Sequence, residues 1–106
     1  MSYYFMAAIT QHDADTYLEY QQKTAAMLGG YECVPLSANA PLKLLGGEAE
    51  PNVVVLLEFP SESHFDNWWN SDEYAVVRKL REKSSTTVIG VGFGGEVNIP
   101  APSCVP

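Results

Sequence analysis

The sequence predicts an α+β domain of order β-α-β-β-α-β, its sheet covered by helices on one face and by a second copy of the chain on the other. Three observations lead there. The run Val53–Phe59 is apolar on both sides of a strand, interrupted only by Glu58. Two adjacent tryptophans, Trp68 and Trp69, stand just before a second helix-starting signal, Ser71-Asp72-Glu73. The chain also carries too few helical segments to shelter both faces of such a sheet.

Tyr3–Ile9 is rich in strand formers and ends at the polar Thr10-Gln11-His12-Asp13, so it reads as the first strand. Asp13 or Asp15 caps a helix running to about Leu28, where Gly29-Gly30 stops it. Tyr31–Ser37 reads as the second strand, with a continuation from Leu42 to Leu45 beyond a turn at Ala38-Asn39-Ala40-Pro41 as an open alternative. Val53–Phe59 gives the strongest strand signal. Pro60 ends it, and Ser61 caps the next helix with Glu62 in its first turn. Recurrence of that signal at Ser71-Asp72-Glu73 splits the helix into residues 62–70 and 72–83. Thr86–Phe93 is the last strand. Residues 1–93 make the domain, and residues 94–106 an extended tail rich in glycine and proline.

A chain of 106 residues is one domain, able to bury roughly two thirds of its unfolded surface. Thirteen acids against six bases, a net charge of −7, exclude nucleic acid and anionic membrane as partners, since both need a basic face. Cys33 and Cys104 show neither a disulfide framework nor metal-ligand spacing. Cys33 sits in an apolar run, where free cysteine behaves as a small buried hydrophobe. No basic leader and no apolar run of membrane-spanning length is evident, so the expected address is the cytoplasm.

Counting faces gives the dimer. Val53, Val55, Leu57 and Phe59 share one side of their strand, and Val54, Leu56 and Glu58 the other. In the first strand Tyr3, Phe5, Ala7 and Ile9 oppose Tyr4, Met6 and Ala8. Neither strand alternates as a sheet with one wet face does. Right-handed crossovers put both helical segments on the same side. The second apolar face then needs a symmetry mate packed sheet on sheet, because an exposed patch of that size on a monomer is unusual.

The order of elements resembles the dimeric α/β-barrel group of ferredoxin-like domains. Within it the chain resembles a domain-of-unknown-function family, numbered 1330. The matching residues are Asp13 with Tyr17 and Tyr20, then Gly29-Gly30, then Val54–Ser61 with its Glu-Phe-Pro-Ser ending. Trp69-Asn70-Ser71-Asp72-Glu73-Tyr74 follows, where the family has an aromatic and then Ser-Pro-Glu-Tyr, and Leu80-Arg81 comes at the expected distance. The likeness covers roughly residues 3–93. One departure stands out: the family often has an Arg-Gly-Gly-like turn after the second strand begins, whereas Val34–Asn39 holds no arginine. The resemblance implies a ferredoxin-like sandwich forming a homodimeric α/β barrel. The wider superfamily spans cofactor-free oxygenases, isomerases, polyketide cyclases and haem enzymes, so it implies no single activity.

Candidate site residues come from polar groups in apolar settings. On the first helix Tyr17, Leu18, Tyr20, Gln21, Thr24, Ala25 and Leu28 share a side, with Gln21 and Thr24 near its centre. Those polar tips either line a pocket or brace the core through hydrogen bonds. Glu58 is a general base inside the barrel, a partner for a basic residue at the dimer seam, or simply exposed. His64 stands at the edge of the Phe65, Trp68 and Trp69 stripe, either as a proton-transfer group or as a solvated first-turn residue. His12 could pair with Asp13. Arg78 and Arg81 flank Tyr74, a carboxylate clamp or a plain response to the helix dipole. Gly90, Gly92 and Gly94 leave one face of the last strand bare, which suggests a cavity.

With two histidines and no Glu or Cys at ligand spacing beside them, no metal and no cofactor is expected; one histidine would suffice for haem, but nothing else supports it. The expected function is therefore a homodimer binding a small apolar or aromatic molecule. It would use cofactor-free proton transfer (isomerisation, cyclisation or oxygenation), with Glu58 or His64 as base and Tyr17, Tyr20, Gln21, Thr24, Trp68, Trp69, Tyr74, Arg78 and Arg81 holding substrate. The alternative is a non-catalytic binding or structural dimer.

Overall fold

Tyr3–Gln11 forms β1, a strand that hydrogen-bonds on both edges. A computed structural model describes residues 1–100; Cys104 and the rest of the tail end lie outside the described residues. After β1 come α1 (Ala14–Leu28), a 3-10 turn (Gly29–Tyr31), β2 (Val34–Ala38), β3 (Val53–Phe59), α2 (Glu62–Trp69), α3 (Asp72–Ser84) and β4 (Ser85–Gly94). The four strands are ordered β2-β3-β1-β4 and every neighbouring pair is antiparallel. This is the ferredoxin-like split β-α-β arrangement.

Side-chain caps set the helix starts. Asp13, rather than Asp15, caps α1: its carboxylate accepts from the Thr16 amide at 3.2 Å and the Thr16 hydroxyl at 2.7 Å. Ser61 caps α2 through the His64 amide, and Ser71 caps α3 through the Tyr74 amide at 3.1 Å. Ser71 also donates to the Trp68 carbonyl at 2.7 Å, so one hydroxyl ends α2 and begins α3. That bond fixes the angle at which Tyr74 swings back over Trp68.

The second strand starts later than its sequence suggests. After Leu28 the glycines continue as a right-handed 3-10 turn, and the left-handed residue that redirects the chain is Glu32, at φ 56°. Tyr31 belongs to that turn, where its phenol donates to Glu73 on α3 at 2.6 Å. Residues 42–45 form no strand. Asn39 takes a left-handed φ of 62°, and Pro41 lacks the N–H a ladder needs, so the chain leaves the sheet. Residues 39–52 are irregular, and the Asn52 side chain bridges them back to Gln11.

The register places Phe5, Ala7 and Ile9 beside Leu57, Val55 and Val53 on the face that the helices cover. Phe59, Trp68 and Tyr74 are essentially inaccessible there. On α1, Tyr17, Tyr20, Thr24 and Leu28 are buried, while Leu18 is 51% exposed, about 100° round from Tyr17 and on the rim of the stripe. The opposite face of the sheet carries Tyr4, Met6, Leu56, Ile89, Val91 and Phe93, with no helix over it. Ile89 is 48% and Phe93 43% exposed, high for apolar residues of a strand. Among the described residues no helix is long and apolar enough to cross a membrane.

Candidate functional site

A cavity of about 110 Å³, open on one side, lies between α1 and the sheet. Phe5, Ala7 and Ile9 of β1 and Val55 and Leu57 of β3 form its floor. Tyr17, Tyr20, Gln21, Thr24, Ala25 and Leu28 of α1 form its roof, and Pro35 and Ala38 of β2 one wall. Trp68 and Arg81 close the end under the other helices. The space exists because small residues stand where the pattern otherwise places large ones. Ala7 lies between Phe5 and Ile9 on the same face, and Ala25 and Ala38 face it from α1 and β2.

The lining is almost wholly apolar, with a few polar atoms set into it. Among the described residues three buried side-chain atoms have no hydrogen-bond partner: Thr24 Oγ1, Trp68 Nε1 and Arg81 Nε. All three residues line the cavity. A buried polar group left unpaired costs about 1–3 kcal/mol, and three on residues around one cavity stand out against the rest of the interior.

A short polar chain runs behind them. Tyr20 Oη and Tyr74 Oη are 2.9 Å apart, and Arg81 Nη1 donates to Tyr74 Oη at 3.4 Å. Burial drives the Tyr74 phenol well above its ordinary value of 10.0, with Tyr20 adding to the rise and Arg81 and Arg78 opposing it. Burial does the same to Tyr17, where Tyr20 again raises it and Arg81 and Gln21 oppose. Both phenols therefore keep their protons throughout the neutral range and serve as hydroxyls, not as phenolates. At the edge, the Gln21 and Asn39 amides exchange two hydrogen bonds of 2.7 and 2.8 Å, tying α1 to the turn after β2.

The structure brings Tyr17, Tyr20, Gln21, Thr24, Trp68 and Arg81 to this cavity and keeps five other candidates away from it. Tyr74 stands behind Tyr20. Trp69 stacks on Phe65 with ring centres 5.8 Å apart, and Arg78 covers the Trp69 ring at 5.0 Å. Glu58 is on the helix-free face of the sheet, beside Tyr4 and Val34. His64 lies on the outside of α2: Nδ1 meets the Ser61 hydroxyl at 2.7 Å and Nε2 meets Glu32 Oε2 at 2.8 Å. Asp13 spends both carboxylate oxygens on Thr16, which leaves His12 without it as a close partner.

The bare face of β4 does not line the cavity either. A Cβ on Gly92 would fall 2.8 Å from the Tyr3 phenol oxygen, so that glycine makes room for a ring. Residues that the sequence did not single out, above all Ala7 and Ala38, shape the space instead. An alanine between two large residues on one strand face was the available signal.

Cys33 is buried, its thiol pushed up to about 11 by burial against a weaker opposing contact with the Glu58 backbone, which makes it unreactive at neutral pH. Among the described residues no group of three or more His, Cys, Asp or Glu is placed to hold a metal ion.

Several solved structures share this fold. A protein of unknown function from Rhodopseudomonas palustris, RPA0582, aligns with a TM-score of 0.68 at 14% identity, covering 85% of this chain and 80% of that one. SnoaB from Streptomyces nogalater, a cofactor-independent oxygenase, aligns with a TM-score of 0.62 at 14% identity, covering 94% and 98%. A dimeric protein of unknown function and ferredoxin-like fold from Bacteroides fragilis aligns with a TM-score of 0.55 at 13% identity, covering 87% and 94%. At such identities the likeness speaks for the fold. No curated protein matches the sequence. The sequence itself matches the domain of unknown function DUF1330 over residues 2–91, and the chain belongs to that family.

Proposed function

We propose that this protein is a homodimer whose subunits each bind a small, mainly apolar molecule between α1 and the sheet. The observation that carries the reading is that Thr24, Trp68 and Arg81, whose Oγ1, Nε1 and Nε are buried with no partner among the described residues, all line one apolar cavity. Ligand sites commonly combine an apolar wall with a few placed polar groups. The volume, about 110 Å³, approaches that of an engineered cavity of about 150 Å³ that admits benzene.

The chemistry such a wall supports is stabilisation of negative charge growing on a substrate oxygen, by donors that need no reorganisation. Cofactor-free isomerisation, cyclisation or oxygenation each pass through such a charge, and the fold is shared with one cofactor-independent oxygenase. The roles fall to four of the polar residues of the wall, Trp68, Arg81, Thr24 and Tyr20, rather than to Glu58 or His64. Among the described residues no carboxylate and no imidazole lines the cavity, which favours a second reading, a binder without turnover.

The helix-free face argues for the dimer. Ile89, Val91 and Phe93 lie beside Ala8, Met6 and Tyr4 to make a continuous apolar surface, and one structural neighbour is a dimer. Sedimentation of the purified chain should give twice the monomer mass, and Leu56→Lys should weaken self-association by about 30-fold, as for an interface hot spot of about 2 kcal/mol. Mass spectrometry of small molecules released by denaturation tests the pocket. A compound carried by the wild type and missing from Ala25→Trp, which plugs the open side, supports it; equal recovery from both proteins contradicts it.

A further inference from the structure

We infer that the ligand of this cavity is an oxyanion carried on a single apolar ring, held by Arg81 and Trp68; the inference rests on the pocket reading above. Arg81 is the one formally charged side chain on the wall. Among the described residues no carboxylate lies within ion-pair distance of it, whereas Arg78, one turn earlier, has Glu82 at 3.8 Å. Arg81 spends Nη1 on Tyr74, and its Nε–H has no acceptor among the described residues.

The polarity of the unpaired atoms is one-sided. An indole N–H and a guanidinium N–H can only donate, and the Thr24 hydroxyl can donate as well. The complementary ligand must therefore supply acceptors, and a carboxylate, phenolate or enolate oxygen supplies them with the charge that Arg81 lacks. The rest of the wall is mainly hydrocarbon or aromatic, with Phe5, Ile9, Val55, Leu57 and Leu28, and of its polar side chains Tyr20 already bonds to Tyr74 and Gln21 to Asn39. The volume then limits the apolar part to about one ring, with any longer portion leaving past Ala25 and Ala38.

Calorimetric titration with three matched probes tests this: benzoate, its neutral counterpart benzamide, and toluene. The expected order is benzoate first, by about tenfold over benzamide. Arg81→Gln should bring that ratio close to one while leaving toluene affinity as it was, and Arg81→Lys should restore part of it. 4-Nitrophenol distinguishes the source of the oxyanion. A bound form with the absorption of the phenolate extends the site to phenolates, and binding as the neutral phenol overturns the claim for that group.

If benzamide or toluene equals benzoate in the wild type, the anion assignment is overturned while the pocket stands. The same holds if the benzoate advantage survives in Arg81→Gln. If none of the probes binds, the pocket reading itself fails. Near-ultraviolet circular dichroism of the variants separates loss of charge from loss of fold.

Discussion

The interior under α2 and α3 and the interior under α1 share the strands β1 and β3, yet they are filled in opposite ways. On the first side Phe59, Phe65, Trp68, Trp69 and Tyr74 make a continuous set of ring contacts, with Trp68 and Tyr74 only 4.2 Å between centres and Phe59 stacked on Trp68 at 5.6 Å. On the second side Ala7, Ala25 and Ala38 leave about 110 Å³ unfilled, with three unpaired polar atoms around it. Trp68 belongs to both: its ring faces are packed while its N–H is unmet. The contrast is between an aromatic side that is closely packed and an α1 side that holds the cavity.

The largest effect that would sharpen this contrast is truncation on the packed side. Phe59→Ala should cost about 3–5 kcal/mol in chemical denaturation, because its 0% exposed ring contacts both Phe65 and Trp68. A cost below about 1 kcal/mol would show that the aromatic side is as loose as the other.

Next comes pH. Tyr17 and Tyr74 have folded values raised above the ordinary 10.0 by burial, so the stability they give is fully present below about pH 10 and is lost as pH rises beyond it. In an absorbance titration of the six tyrosines, these two should ionise only as the protein unfolds. Ionisation of Tyr17 and Tyr74 near pH 10 with the fold intact would break the contrast.

Two hydroxyls then compare partnered with unpartnered groups. Ser71→Ala removes a cap bonded to both the Tyr74 amide and the Trp68 carbonyl, and should cost about 1 kcal/mol. Thr24→Val removes a hydroxyl with no partner among the described residues, and should leave stability unchanged or raise it by up to about 1 kcal/mol, while weakening ligand binding. If Thr24→Val proves the more damaging to stability, the Thr24 hydroxyl is structural.

Much of the fold was legible because it rests on local chemistry. Ser61 and Ser71 announce two helix starts ten residues apart, and both cap as such residues do. The two apolar sides of Val53–Phe59 report a strand in the middle of a sheet, and β3 does pair on both edges. Where local signals conflicted, reading failed. Tyr31 is a good strand former but is drawn into the turn by its bond to Glu73, and Leu42, Leu44 and Leu45 are apolar yet largely exposed.

The site was harder to read, since it depends on depth and neighbours. Glu58 and His64 attract notice by their chemical type, but strand parity puts Glu58 on the far face and α2 turns His64 outward. Which of two adjacent tryptophans enters the cavity depends on the angle between α2 and α3, which no spacing reveals. Ala7 between Phe5 and Ile9 was the clue in plain view. It marks missing volume on a buried face, whereas Gly92 of β4 marks room for Tyr3.

The most direct test is the indole N–H of Trp68. With nitrogen-labelled tryptophan, two indole resonances are expected, one for each tryptophan, and Trp68→Phe assigns them. Titration with benzoate should shift the Trp68 resonance downfield as the N–H gains an acceptor, while that of Trp69, which does not line the cavity, moves little. Two resonances that both stay fixed, or that move equally, would contradict the claim that the unpaired groups of this cavity await a ligand.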